Sequence, residues 1–139
     1  MIVVDSSAII AALDSADRHH EAVRRWLDAE EDDLVTTPLV VAEVDYVVGA
    51  RGGRMAQQAF RDDLLAGGYL VEWWPGALSA VVPVAETYAD NALGLTDASL
   101  VVLAERVETT DIATFDQRHF RSVRPTWGGD AFRLIPIDL

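Results

Sequence analysis

The chain has 139 residues, half of them apolar, and a formal net charge of −12. That length suits one domain, residues 1–139, with a substantial core. The absence of cysteine excludes disulfides, thiolate nucleophiles and cysteine zinc sites. All eleven basic residues are arginine, which also excludes Schiff bases, P-loops and other chemistry that requires a lysine.

Ile2 to Asp5 read as a short buried strand, and Ser6 to Leu13 as a helix with Ser6 or Ser7 as its cap. Asp17 to Glu30 form an amphipathic helix with Ala22, Val23, Trp26 and Leu27 on one stripe. The run Glu30-Glu31-Asp32-Asp33 is a solvated turn. Leu34 to Thr37 are a second strand, and Thr37-Pro38 is a helix start with proline at the first helical position. That helix ends at Gly52-Gly53. Another runs from Arg54 to Leu65 and stops at Gly67-Gly68.

Tyr69 to Trp74 read as a strand, and Ala77 to Asn91 as a helix that Pro83 should kink or restart. Thr96 caps the next helix, Asp97 to Val107. Thr110 to Ala113 and Phe132 to Ile137 complete the strands. Alternating strands and helices predict a three-layer α/β/α sandwich around a mainly parallel sheet. No apolar stretch approaches the length of a membrane span, and Met1 leads directly into a strand-like run without the basic start of a secretory leader. Together with the missing cysteines this fits a reducing, cytoplasmic location.

The acidic residues carry the chemistry. Asp5 ends a strand and precedes a helix, and ligands of open parallel sheets bind beyond the carboxyl ends of strands. Asp116 lies just past the Thr110–Ala113 strand and can reach the same edge. Asp97 sits in the first turn of its helix, where the helix dipole favours negative charge; plain helix capping would explain it equally well. Glu43 stands in a helix that is apolar almost all round, Leu39 to Val48, so it is expected to be largely buried. Its alternative is an ion pair with a core arginine. Asp45 points to another face of that helix.

Such carboxylates, brought together, repel one another and raise each other's pKa; a cation reverses that. An all-oxygen site selects Mg²⁺, or Mn²⁺ in its place, over zinc. A water activated by the cation then serves as nucleophile at a phosphate ester. His19 and His20 face about 100° apart on a helix and make a poor joint metal site. His119 is close to Asp116 and could touch a phosphate or donate a proton, with a structural role as the alternative. Trp73 and Trp74 read as core and interface area. Arg118, Arg121 and Arg124 form a cluster that could hold phosphates or be a solvated face. The net charge opposes non-specific nucleic-acid binding, although two divalent ions would return up to four charges where phosphate must sit.

The chain resembles the PIN-domain ribonucleases, and within them the VapC toxins of type II toxin–antitoxin modules. The residues that carry the resemblance are Val4-Asp5-Ser6-Ser7-Ala8, Val41-Ala42-Glu43-Val44, Leu95-Thr96-Asp97-Ala98-Ser99-Leu100 and Ala113-Thr114-Phe115-Asp116 with Arg118-His119-Phe120. It spans nearly the whole chain. It implies a PIN-like fold and Mg²⁺-dependent endonucleolytic cleavage of RNA. It also implies that Asp5, Glu43, Asp97 and Asp116 form the site. Asp5 and Asp97 would be the surest ligands, Asp116 would complete the metal shell, and Glu43 would bind a second metal or orient water. Ser6 and Thr114 would be hydroxyls that fix carboxylate geometry. Asp111, within the strand, competes with Asp116 for the fourth place. The resemblance further implies a homodimer and a VapB-type antitoxin that places a basic side chain in the acidic site. Two other functions compete. One is a metal-dependent small-molecule phosphohydrolase, whose usual second aspartate and lysine are missing here. The other is a PIN-like interaction module without chemistry.

Overall fold

The computed structural model describes residues 1–139. Five strands form one sheet: β1 (Ile2–Val4), β2 (Leu34–Thr36), β3 (Leu70–Val71), β4 (Asp111–Ala113) and β5 (Arg133–Ile135). Their order is β3-β2-β1-β4-β5, and every pair is parallel. The strands are shorter than the apolar runs that announce them, because only the paired central residues are in the ladder. Val3, Val35, Ile112 and Leu134 are fully buried, as expected for a sheet covered on both faces.

The helices are α1 (Ser6–Leu13), α2 (His20–Ala29), α3 (Pro38–Leu65), α4 (Ala77–Thr87), α5 (Leu95–Arg106) and a single turn, α6 (Gln117–Phe120). From β1 the chain moves outward through β2 to β3, then crosses back to β4 and β5. Right-handed crossovers therefore put α1 to α3 on one face and α4 and α5 on the other. The packing agrees: α1 lies against α2 and α3, and α4 against α5. The three-layer sandwich is thus the observed architecture. Because the direction of winding reverses at β1, a crevice opens between the carboxyl ends of β1 and β4.

Two helix starts differ from the sequence reading. Asp5, not Ser6 or Ser7, caps α1, since its side chain accepts the Ser6 N–H. Helix α5 begins at Leu95 after Gly94, two residues ahead of the expected start at Asp97 behind a Thr96 cap, and has no side-chain cap. Thr37 does cap α3, with Pro38 in the first turn. The break at Gly52-Gly53 is also present: Gly53 takes φ 77° and ψ −174°, a conformation that side chains other than glycine's resist. Beyond it the second half of α3 folds back, so that Gln57 donates to the Asp45 carbonyl (3.2 Å) and Arg61 pairs with the Asp45 carboxylate (2.8 Å). Helix α4 continues through Pro83 and gives way at Thr87 to a 3-10 turn, Ala89–Asn91.

The largest correction concerns the first half of α3. It was expected to be buried nearly all round, but only the stripe Val40, Val44 and Val48 is buried there, while Ala42 and Glu43 are exposed and Tyr46 is 76% exposed. An outer-layer helix needs only one apolar stripe, and apolar composition does not force the other faces inward. Helix α5 is the opposite case. Every residue from Ala98 to Ala104 is buried, because the helix is held between the sheet and α4.

Candidate active site

Asp5 is the most deeply placed acid, 3% exposed at the end of β1. A buried carboxylate needs donors. The Ser6 N–H donates to Oδ1 (2.7 Å), with the Ser6 hydroxyl more distant (3.3 Å). The hydroxyls of Ser7 and Thr114 both donate to Oδ2, each at 2.7 Å. Each hydroxyl has one proton, so their mutual 3.2 Å approach is a contact without a hydrogen bond. Their lone pairs are used as well. Ser7 Oγ accepts the Phe115 N–H and Thr114 Oγ1 accepts the Asp116 N–H, both at 3.0 Å. The ends of β1 and β4 are thereby stitched through one carboxylate, and Asp116 is oriented by the same threonine that orients Asp5.

Asp97 is presented by the first turn of α5. The Ser99 hydroxyl donates to the Thr96 carbonyl (2.6 Å), so Ser99 Oγ accepts from Thr37 Oγ1 (2.9 Å). That buried pair ties the start of α5 to the start of α3, and so sets Asp97 relative to Glu43. The Asp97 carboxyl is pushed up to about 6, by burial first and by the neighbouring charge of Asp5 next. Asp116 and Glu43 push in the same direction, and His119 opposes them. Glu43 is raised as well, by partial burial and by Asp5, against a hydrogen bond from Ser6. Glu43 is an exposed residue at the rim with no arginine partner, contrary to its expected burial and to the ion-pair alternative.

Asp116 caps α6 by accepting the His119 N–H through Oδ1 (3.1 Å). Its other oxygen faces the imidazole. His119 Nδ1 is 3.1 Å from Asp116 Oδ2 and 2.9 Å from Asp97 Oδ2. One ligand atom each from Asp97, Asp116 and His119 lies within 4.8 Å of the others, a spacing that a single cation can span. Mutually destabilised carboxylates with convergent oxygens fit a divalent cation. Asp111, the competitor, is removed by geometry: its carboxylate is bidentate on Arg133, with Nε at 2.8 Å.

The arginine cluster divides. Arg121 is engaged with Asp138 (2.9 Å), whereas Arg118 and Arg124 are exposed and form no ion pair. His20 contacts the Ala11 carbonyl (2.8 Å) and His19 stacks on Phe115 at 4.0 Å, so the two do not share a metal. Trp74 packs under Arg106 (4.5 Å), and Trp73 is 38% exposed. A cavity of about 160 Å³ lies apart from the acids, between α1 and α3. The acids instead gather at the carboxyl ends of β1 and β4, where Asp5 is buried, Asp97 and Asp116 are partly exposed and Glu43 is exposed.

One contributor escaped the sequence reading. Ser7 is a direct partner of Asp5, and its signal was local, a second hydroxyl in the first turn after Asp5. His119, read from the sequence as close to Asp116, is packed directly against two of the acids.

Residues 2–124 match the family described as the PIN domain. The chain belongs to the PIN-domain family. This PIN-domain protein is 38% identical over 136 residues to Ribonuclease VapC26 of Mycobacterium tuberculosis, an alignment that covers 97% of the chain and 100% of that relative. Its fold is similar to the crystal structure of Mycobacterium tuberculosis VapC20, described as a Sarcin-Ricin loop cleaving toxin, with a TM-score of 0.80 at 17% identity over 92% of this chain and 100% of that one. The FitAcB structure from Neisseria gonorrhoeae is similar at a TM-score of 0.59 and 22% identity, over 84% and 88% of the two chains. At those identities the two structures speak to fold alone. No helix of this PIN-domain protein is long and apolar enough to cross a membrane.

Proposed function

We infer that this protein is an endoribonuclease of the VapC type, the toxin of a toxin–antitoxin pair, and that it cleaves RNA phosphodiester bonds with a divalent cation. The single observation that carries this reading is its 38% identity to a ribonuclease across 97% of the chain. The strained carboxyl of Asp97 supports it, because a site destabilised without a cation is one that a cation stabilises. Asp5, Asp97 and Asp116 would hold the ion, Mg²⁺ by preference with Mn²⁺ as a substitute. When bound, such an ion supplies charge stabilisation at the phosphate and a water nucleophile at neutral pH.

The protein's own residues do the rest. Ser7 and Thr114 both donate to Oδ2 of Asp5, so the carboxylate is pre-oriented and needs no reorganisation when substrate arrives. Ser6 donates to the other oxygen of Asp5. Glu43, raised and exposed at the rim, is suited to orient water and take its proton. Arg118 in α6 and Arg124 beyond it, both exposed, would contact RNA phosphates; Arg121 is less available because of Asp138. The net charge of −12 means that substrate must be captured locally, at the cation and these guanidiniums. A cognate VapB-type antitoxin, a homodimeric assembly and a cytoplasmic site of action complete the proposal.

The test uses the purified chain with structured RNA and either Mg²⁺ or Mn²⁺. Cleavage should require the metal and disappear in Asp5→Asn and Asp97→Asn proteins whose circular dichroism stays native-like. Full cleavage by folded Asp5→Asn would refute the assignment. Turnover of small phosphate esters without RNA cleavage would point to a phosphohydrolase instead.

A further inference from the structure

The His119 imidazole borders the space that a cation bound by Asp97 and Asp116 would fill. Its Nδ1 lies 2.9 Å and 3.1 Å from one oxygen of each carboxylate. The atom is buried, yet it makes no hydrogen bond with acceptable alignment to either. A nitrogen this close to two acceptors and aimed at neither is pointing between them. The cap of α6 explains how. Asp116 Oδ1 accepts the His119 N–H, which fixes the two residues on one turn and leaves Asp116 Oδ2 and His119 Nδ1 facing the same way. Asp97 closes the triangle from α5. The other two histidines are occupied elsewhere, at the Ala11 carbonyl and on the Phe115 ring.

We propose that His119 contributes an imidazole nitrogen to the metal, making this a mixed oxygen–nitrogen site that favours Mn²⁺ over Mg²⁺. The inference rests on the reading of the crevice as a cation site. Imidazole is a good ligand for transition metals and a poor one for Mg²⁺, which prefers oxygen. With Nδ1 as the unprotonated nitrogen, its lone pair between two carboxylates is repelled in the absence of a cation and attracted in its presence, so the nitrogen and the two acids gain together when the ion enters.

The experiment is Mn²⁺ binding by calorimetry, with electron spin-echo spectroscopy of the bound ion, on wild-type and His119→Gln proteins. Wild type should show modulation from a coordinated nitrogen, and the variant should lose it. Mn²⁺ affinity should fall at least about tenfold in the variant, the scale on which even outer partners of a metal act. Mg²⁺ affinity should change less than about threefold, since little of it depends on nitrogen. Wild-type protein carrying heavy-nitrogen histidine serves as the control that needs no substitution: the modulation pattern should change with the isotope. Bound Mn²⁺ with no histidine modulation would overturn the proposal and leave the carboxylate site standing. So would tighter binding of both metals by His119→Gln, which would mean that the imidazole is a resident cation the metal must displace. Failure of folded wild type to bind Mn²⁺ at all would overturn both readings.

Discussion

Replacing Asp97 by asparagine should make the metal-free protein more stable while abolishing its activity. The folded-state pKa of Asp97 is pushed from 3.8 to about 6. Between these values the folded protein holds a proton that the unfolded chain has released. Stability therefore falls as pH rises through this window, and the full cost of ionising Asp97 in place is reached above about pH 6. A shift of about two units corresponds to roughly 3 kcal/mol as an upper bound. The Asp97 side chain is only 19% exposed, so solvent screens this little, but the neighbouring acids relax with it. We expect Asp97→Asn to gain about 1–2 kcal/mol at pH 8 in EDTA, or an upward shift in Tm of about 3–8 °C for a chain of this size. The gain should shrink by more than half at pH 4.5, where Asp97 is mostly protonated in the native protein. Thermal unfolding at the two pH values, with and without Mn²⁺, reads all of this. Mn²⁺ should raise the Tm of wild type and leave the variant unmoved. An Asp97→Asn protein that is folded but no more stable than wild type at pH 8 in EDTA would refute the electrostatic reasoning, whatever its activity.

Thr114→Val removes the donor to Asp5 Oδ2 and the acceptor of the Asp116 N–H at a fully buried position. It should cost about 1–3 kcal/mol in urea unfolding and weaken Mn²⁺ binding about 10–100-fold in calorimetry. Gly53→Ala places a side chain at φ 77°, ψ −174°, where there is space but the backbone is strained; the loss in denaturation should be about 1–3 kcal/mol, with RNA cleavage per folded molecule unchanged. Arg118→Ala should weaken RNA binding and lower the slope of log affinity against log salt by about one, whereas Arg121→Ala, which breaks an exposed pair with Asp138, should change stability by less than about 1 kcal/mol and leave that slope nearly unaltered.

Local chemistry determined much of this protein directly. The alternation of apolar strands with amphipathic helices specified a parallel sheet between helical layers. Thr37-Pro38 and Gly52-Gly53 marked the start and the break of α3, because a capping hydroxyl, a proline and a positive-φ glycine act within one turn of chain. Asp5, Asp97 and Asp116 stood out because each is a charge at the edge of an apolar segment. What sequence could not supply was the environment of each group, which depends on residues far along the chain. Glu43 looked buried from its helix and is exposed, because only packing decides which stripe of an outer helix faces the sheet. Asp111 was separated from Asp116 by Arg133, a partner on the next strand. His119 acquired its place from the convergence of α5 and α6 at the end of β4, and the strain on Asp97 arises from its burial and from three acids, Asp5, Asp116 and Glu43, drawn from separate segments. Electrostatic energy depends on separation through space, and only the folded chain sets those separations.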